Sequence, residues 1–186
     1  MCIRDRLEVD PGVVELDEQR LGVRPSPELE VRVGDARVAL ADEPAGERDL
    51  VVGDAFGGLA VPWQLATVEA LELVDRSLTP GGVYAANLID HPPLEFVRAE
   101  LATLQRVFPS VVLLARAPVV AGEDGGNVVA VASRGPLDAG RLADALAQQE
   151  LGWQVVAGAE LDRFVGGAQV LTDDFAPVDQ LLNPYG

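Results

Sequence analysis

The sequence predicts a doubly wound α/β fold with a mostly parallel sheet, and three observations predict it. Short apolar runs alternate with amphipathic helical patterns along most of the 186 residues. The runs are largely continuous rather than alternating, as strands buried on both faces are. Two of them, VVLLARAPVV and NVVAVAS, follow one another without a helix, around GEDGG; they read as a hairpin that brings an antiparallel pair to the edge of the sheet.

In chain order, LEV at residues 7–9 is the tail of a buried strand. DPGVVELDEQRLG follows as a helix, with Asp10 as N-cap and Pro11 at the first helical position. LEVRV at 29–33 alternates like a strand and DARVALA is a short helix. DLVVGDA at 49–55 is a continuous apolar strand ending in an acid. TVEALELVDRSL at 67–78 is an amphipathic helix that TPGG stops, and VYAANLI at 83–89 is a buried strand. PPLEFVRAELATLQRVF at 92–108 is a helix, the hairpin follows, and LDAGRLADALAQQEL is a final helix before a less regular tail.

Composition bounds the function. With 30 acidic and 14 basic residues the formal charge is −16, which disfavours nucleic acid or an anionic membrane as partner and favours a cationic ligand. An apolar content of 48% suffices for a core, and no apolar run has the length of a membrane span. Met1 and Cys2 are the only Met and Cys; from Leu7 onward there is a single Ile, Ile89, against an abundance of Ala, Val, Gly and Leu. That bias reads as GC-rich coding, and MCIRDR does not share it. Residues 1–6 therefore read as an adapter-derived, non-native segment, and residues 7–186 as a domain incomplete at its N-terminus. Without Cys2 there is no thiol for a disulfide, a Cys-based zinc site or a nucleophile.

The element order is similar to the Rossmann-like fold of class I methyltransferases. In such sheets ligands sit outside the carboxyl ends of the strands. Three predicted strands end there in acids: Glu8 with Asp10, then Asp35, then Asp54. Each has a plain alternative, since strand-end acids often cap helices or form turns, and Asp10 and Asp35 both precede helices. A carboxylate at one strand end can accept from both ribose hydroxyls of a nucleoside, and Asp35 can accept from an adenine amine. Asp54, closer to the centre, can orient an amine and take its proton.

Taken in order, LEVDPGVVEL, VGDARVAL, DLVVGDAFGGLAVPWQLAT, LTPGGVYAANLID, RVFPSVV and LTDDFAPVDQLL resemble the spermidine synthase (polyamine aminopropyltransferase) family, closest to its actinobacterial spermidine synthase-like branch. The resemblance covers residues 7–186. It implies that Glu8 binds the ribose of decarboxylated S-adenosylmethionine, that Asp35 and Ala36 hold the adenine, and that Asp54 deprotonates the attacking amine, such as putrescine. The nucleoside is a co-substrate; no permanently bound cofactor and no metal are implied. A cytoplasmic domain is implied, with homodimer formation and fusion of the parent to a membrane region left open. The methyltransferase-like strand order 3-2-1-4-5-7-6 would lack its first, central strand here. The family's glycine-rich loop has no counterpart, Gly57 stands where synthases carry a second acid, and Gln64 stands where VPxHL has His. These departures make the 186 residues read as an inactive fragment of a transferase. Two other classes stay open: a methyltransferase using intact S-adenosylmethionine, and a degenerate nucleoside-binding module.

The remaining candidates have bland readings. His91 in IDHPP reads as a loop residue, and Trp63 either walls the ligand crevice or packs. Asp173, Asp174 and Asp179 read as caps and loop anchors rather than metal ligands, and GEDGG as a turn rather than a calcium loop.

Overall fold

A computed structural model describes residues 4–58, 60–150 and 152–182, and the chain divides into two units, Met1–Glu43 and Pro44–Gly186. In the first, β1 (Arg4–Glu8) leads into α1 (Pro11–Leu16), which continues through a π-helical turn over Asp17–Leu21. Pro11 occupies the start of α1 and the Asp10 carboxylate accepts from Gly12 N at 2.7 Å, so the cap and the proline act as predicted. Gly22, at φ 74°, ends the helix in the left-handed region. β2 (Leu29–Val33) and α2 (Ala36–Asp42) complete the unit. β1 and β2 are parallel, with Glu8 opposite Val33. β1 starts at Arg4, ahead of the LEV run and within the segment read as non-native; residues 1–3 of that segment lie outside the described residues. Among the described residues of this unit only Glu43 is buried.

The second unit holds the core. Its sheet has the order β3-β4-β6-β5-β7, from β3 (Arg48–Gly53), β4 (Leu78–Asp90), β5 (Ser110–Arg116), β6 (Gly126–Ser133) and β7 (Trp153–Ala157). β3 and β4 are parallel; β6 runs antiparallel to β4 and β5, and β7 antiparallel to β5. The hairpin read from GEDGG is thus β5–β6, with APVV forming a short helix, α5 (Ala117–Val120), rather than extending the strand. Along β4, Tyr84, Ala86, Leu88 and Asp90 are buried, while Val83, Ala85, Asn87 and Ile89 are half-buried. α3 (Val68–Ser77) and α4 (Glu95–Val107) pack on β4 and on each other. α4 also contributes Phe96, Val97, Leu101 and Leu104 to the interior.

Several elements differ from the sequence reading. TPGG stops the helix as read, but the next strand starts at Leu78 rather than Val83: Arg48 pairs with Leu78 and Leu50 with Val83, so Thr79 to Gly82 form a bulge within β4. Gly82 sits so tightly in it that an added Cβ would lie 2.8 Å from the Arg48 carbonyl oxygen. α4 begins at Glu95 rather than at the prolines, because Leu94, at φ 65°, lies in the left-handed region and cannot continue a helix backwards. The tail is more regular than expected: β7 is followed by α7 (Gly158–Val165), with α6 (Ala139–Gln148) before them and α8 (Val178–Leu182) closing the chain. β3, read as buried, leaves Leu50 and Val52 58% and 62% exposed, since among the described residues it pairs with β4 alone. No helix of the described residues is long and apolar enough to cross a membrane.

Candidate functional site

In the first unit, the parallel pairing of β1 and β2 carries Glu8 and Asp35 to the same end of the sheet. Glu8 is the last residue of β1, its carbonyl accepts from Gly34 N at 2.9 Å, and Asp35 follows directly. The Glu8 carboxylate is engaged locally: Oε1 accepts from Asp10 N and Oε2 from Arg6 Nη2, both at 3.1 Å. Arg6 also pairs with Asp17. These bonds hold the Glu8 side chain at the strand end, and a ribose would have to share or displace the Arg6 contact. Asp35 is the N-cap of α2, with Oδ1 accepting from Arg37 N at 2.7 Å and Val38 N at 3.2 Å. The capping alternative is therefore realised, and it fixes the carboxylate beside Ala36, the first residue of α2, whose N–H lies in the turn that has no partner within the helix.

Asp54 belongs to the second unit and lies one residue beyond β3. The residue before it has to be glycine, because a Cβ on Gly53 would collide with the hydroxyl of the buried Tyr84. Asp54 is exposed, and its Oδ1 accepts from Asn87 Nδ2 at 2.8 Å. Asn87 Oδ1 in turn accepts from Asn127 Nδ2 at 3.0 Å. Among the described residues, no other hydrogen bond or ion pair holds the Asp54 side chain, so one oxygen is anchored and the other is available. A carboxylate so placed can accept a proton from, or orient, a cationic or amine group. The two asparagines escaped the sequence reading. Asn87 sits inside the apolar VYAANLI run, and only the antiparallel pairing of β4 with β6, which puts Ile89 opposite Asn127, brings the two amides together.

The loop after Asp54 and the tail enclose a cleft of about 480 Å³, with Gly57, Trp63, Asp174, Phe175, Asp179 and Gln180 among its walls. Trp63 is 49% exposed and so faces the cleft rather than the core. Gly57 places no carboxylate there; its N–H donates to the Ala60 carbonyl at 2.8 Å. Asp173 is a loop anchor: it accepts from Thr67 Oγ1 at 2.6 Å, while its own N–H donates to Glu69 Oε2 at 3.0 Å. Asp174 and Asp179 instead line the cleft. His91 is an exposed turn residue whose carbonyl accepts from Leu94 N at 2.8 Å. Among the described residues no three His, Cys, Asp or Glu side chains are grouped to hold a metal ion.

No protein-family profile matches the chain. A polyamine aminopropyltransferase of Vibrio vulnificus is 34% identical over 112 residues, which is 56% of this chain and 35% of that protein. The crystal structure of a "probable spermidine synthase" from Corynebacterium glutamicum superposes with a TM-score of 0.83 at 30% identity, covering 91% of this chain and 63% of that one. Human methyltransferase-like protein 13 in complex with SAH gives a TM-score of 0.62 at 24% identity over 97% of this chain and 78% of its own, a likeness of fold. The chain thus spans about a third of the curated relative and somewhat under two thirds of the bacterial structure.

Proposed function

We infer from these likenesses that the chain is related to the spermidine synthase family, and we propose that the whole protein transfers an aminopropyl group from decarboxylated S-adenosylmethionine to a small amine of the putrescine kind. Glu8 accepts from the ribose hydroxyls, Asp35 with Ala36 holds the adenine, and Asp54 receives the proton of the attacking amine. The amine nitrogen forms a bond to the propyl carbon attached to the sulfonium. The carbon–sulfur bond breaks with its electron pair going to sulfur, which leaves as a neutral thioether, and Asp54 takes the proton that the new ammonium releases.

The observation that carries the reading is the Asp54 carboxylate at the end of β3, with one oxygen tied to Asn87 and the other open to a ligand. Its acidity suits a substrate that arrives as a cation, and so does the chain's charge of −16. Asp54→Asn keeps the shape but cannot take a proton. In the whole protein it should retain nucleoside affinity while turnover falls at least about a hundredfold, the lower end of general-base contributions. Glu8→Gln should instead weaken nucleoside binding about tenfold through loss of a charge-assisted hydrogen bond. Calorimetry with the nucleoside and an aminopropyl-transfer assay separate the two; unchanged turnover in Asp54→Asn removes the assignment.

A second reading, methyl transfer from intact S-adenosylmethionine, is favoured by one observation: Gly57, three residues after Asp54, supplies no second carboxylate. Product analysis by mass decides between them, since methyl and aminopropyl additions differ.

A further inference from the structure

The Asp54–Asn87–Asn127 chain has only one consistent polarity. An ionised carboxylate can accept hydrogen bonds but not donate them. Asn87 must therefore turn its NH2 towards Asp54, which leaves its carbonyl oxygen facing Asn127, and Asn127 must donate in its turn. The three side chains come from three places in one unit: the residue after β3, the C-terminal part of β4 and the second residue of β6. The β4–β6 register sets Asn127 opposite Ile89 and Asn87 opposite Val129, so the two amides are diagonal neighbours on adjacent strands, within reach of each other.

We infer that Asn127 is a positioning residue for the reaction, acting through Asn87 to keep a donor on Asp54 Oδ1 and to present Oδ2 alone to the incoming amine. The inference rests on the assignment of Asp54 as the proton acceptor. Without a donor at position 127 the Asn87 amide loses the partner that holds its oxygen end, and its grip on Asp54 Oδ1 loosens. A carboxylate that loses a well-aligned donor is less favoured in its ionised form, and its open lone pair is less firmly directed. Neither asparagine needs to touch the substrate for this to hold.

Replacement with an acceptor-only group of the same shape is the sharpest test. In Asn127→Asp, both ends of Asn87 meet carboxylates, and the amide cannot satisfy both. In the wild type, the Asn87 side-chain NH2 resonances in a 1H–15N spectrum should show one proton displaced downfield by the carboxylate, and Asp54→Asn should move them. Asn127→Asp and Asn127→Ala should move them as well, although neither variant alters a residue in contact with Asp54. In the turnover assay, kcat at neutral pH should fall about tenfold in Asn127→Asp, the worth of one well-placed hydrogen bond, with KM for the amine changed less than about twofold. The acidic limb of the pH–rate profile should shift to higher pH.

Asn87 resonances that ignore both substitutions at 127 overturn the proposal, and so do resonances that move while the pH–rate profile keeps its position. A folding defect in Asn127→Asp is separated from these outcomes by Asn127→Ala, which adds no charge. The resonance measurement needs no turnover, so it stands apart from the assignment of Asp54 itself: that assignment fails only if Asp54→Asn retains full activity.

Discussion

Burial of the Glu100 carboxyl on α4 ties stability to pH. Glu100 is 2% exposed, its Oε2 has no hydrogen-bond partner, and desolvation pushes its pKa from 4.5 up to about 8. The nearby Tyr84 hydroxyl is pushed up as well, first by its own burial and then by the Glu100 charge. Below pH 4.5 Glu100 is neutral in both folded and unfolded chains. Between 4.5 and about 8 the unfolded chain ionises while the folded one stays neutral, so stability falls as pH rises, by up to about 1.4 kcal/mol per pH unit. Above the folded value the loss is complete and the dependence ends. Glu100→Gln removes this titration, and its stability relative to wild type should be greater at pH 8 than at pH 5.5 by on the order of 3 kcal/mol. Urea unfolding at the two pH values measures it, and an equal difference at both would contradict the burial argument.

At the scale of elements, α4 shows how a helix start can be supplied from a distance. Its own N-cap, Leu94, has no side-chain oxygen, and the buried Asp90 at the end of β4 takes the role. Asp90 Oδ2 accepts from Val97 N at 3.0 Å and Oδ1 from His91 N at 2.7 Å. Asp90→Ala would leave those N–H groups without an acceptor and should cost roughly 2 kcal/mol or more, with Asp90→Asn recovering part through its carbonyl. Denaturant midpoints of the two variants check the order. The sequence shows the acid but not this use of it, because the carboxylate bonds a helical N–H seven residues on, beyond the reach of a local capping pattern. Elsewhere local signals sufficed: β2 occupies the residues that its alternation predicted, and α3 starts after the cap that Thr67 supplies. β7 and α7 escaped because WQVVA becomes a strand only by pairing with β5, some forty residues earlier, and strand preference depends on such partners. The candidate residues of the two units divide in the same way. Glu8, Asp35 and Asp54 announce themselves as strand-end acids, while Asn87 and Asn127 acquire meaning only through strand register.

For the whole molecule, the distribution of apolar burial decides where the structure opens first. Every buried hydrophobic side chain of the described residues lies at Ala66 or beyond, in the second unit. In the first unit, Val9, Leu16, Leu21, Val33 and Val38 are each more than half exposed. Its two-stranded sheet is held by one parallel ladder and by ion pairs of Arg6 with Glu8 and Asp17 and of Arg32 with Glu43. A single two-stranded ladder is marginal in water, and partly exposed ion pairs contribute about 1 kcal/mol or less each. Opening free energies across a protein run from near zero to the global value, in cooperative units that follow buried contact. Amide hydrogen exchange should therefore be fast over β1, α1, β2 and α2, and slowest over β4, α4 and β6, where Leu88, Phe96, Leu101, Val128 and Ala130 are 1% exposed or less. High salt should accelerate exchange in the first unit by screening its ion pairs, while leaving the core of the second nearly unchanged. If a nucleoside is held by Glu8 and Asp35, its binding should slow exchange in the first unit most, because a ligand at free concentration L that binds only the closed form of a unit stabilises it against opening by RT ln(1 + L/Kd). Equal protection of the two units in the free protein would show that the first has a source of stability other than its own ladder and ion pairs. Protection that does not rise in the first unit on nucleoside binding would count against the roles of Glu8 and Asp35.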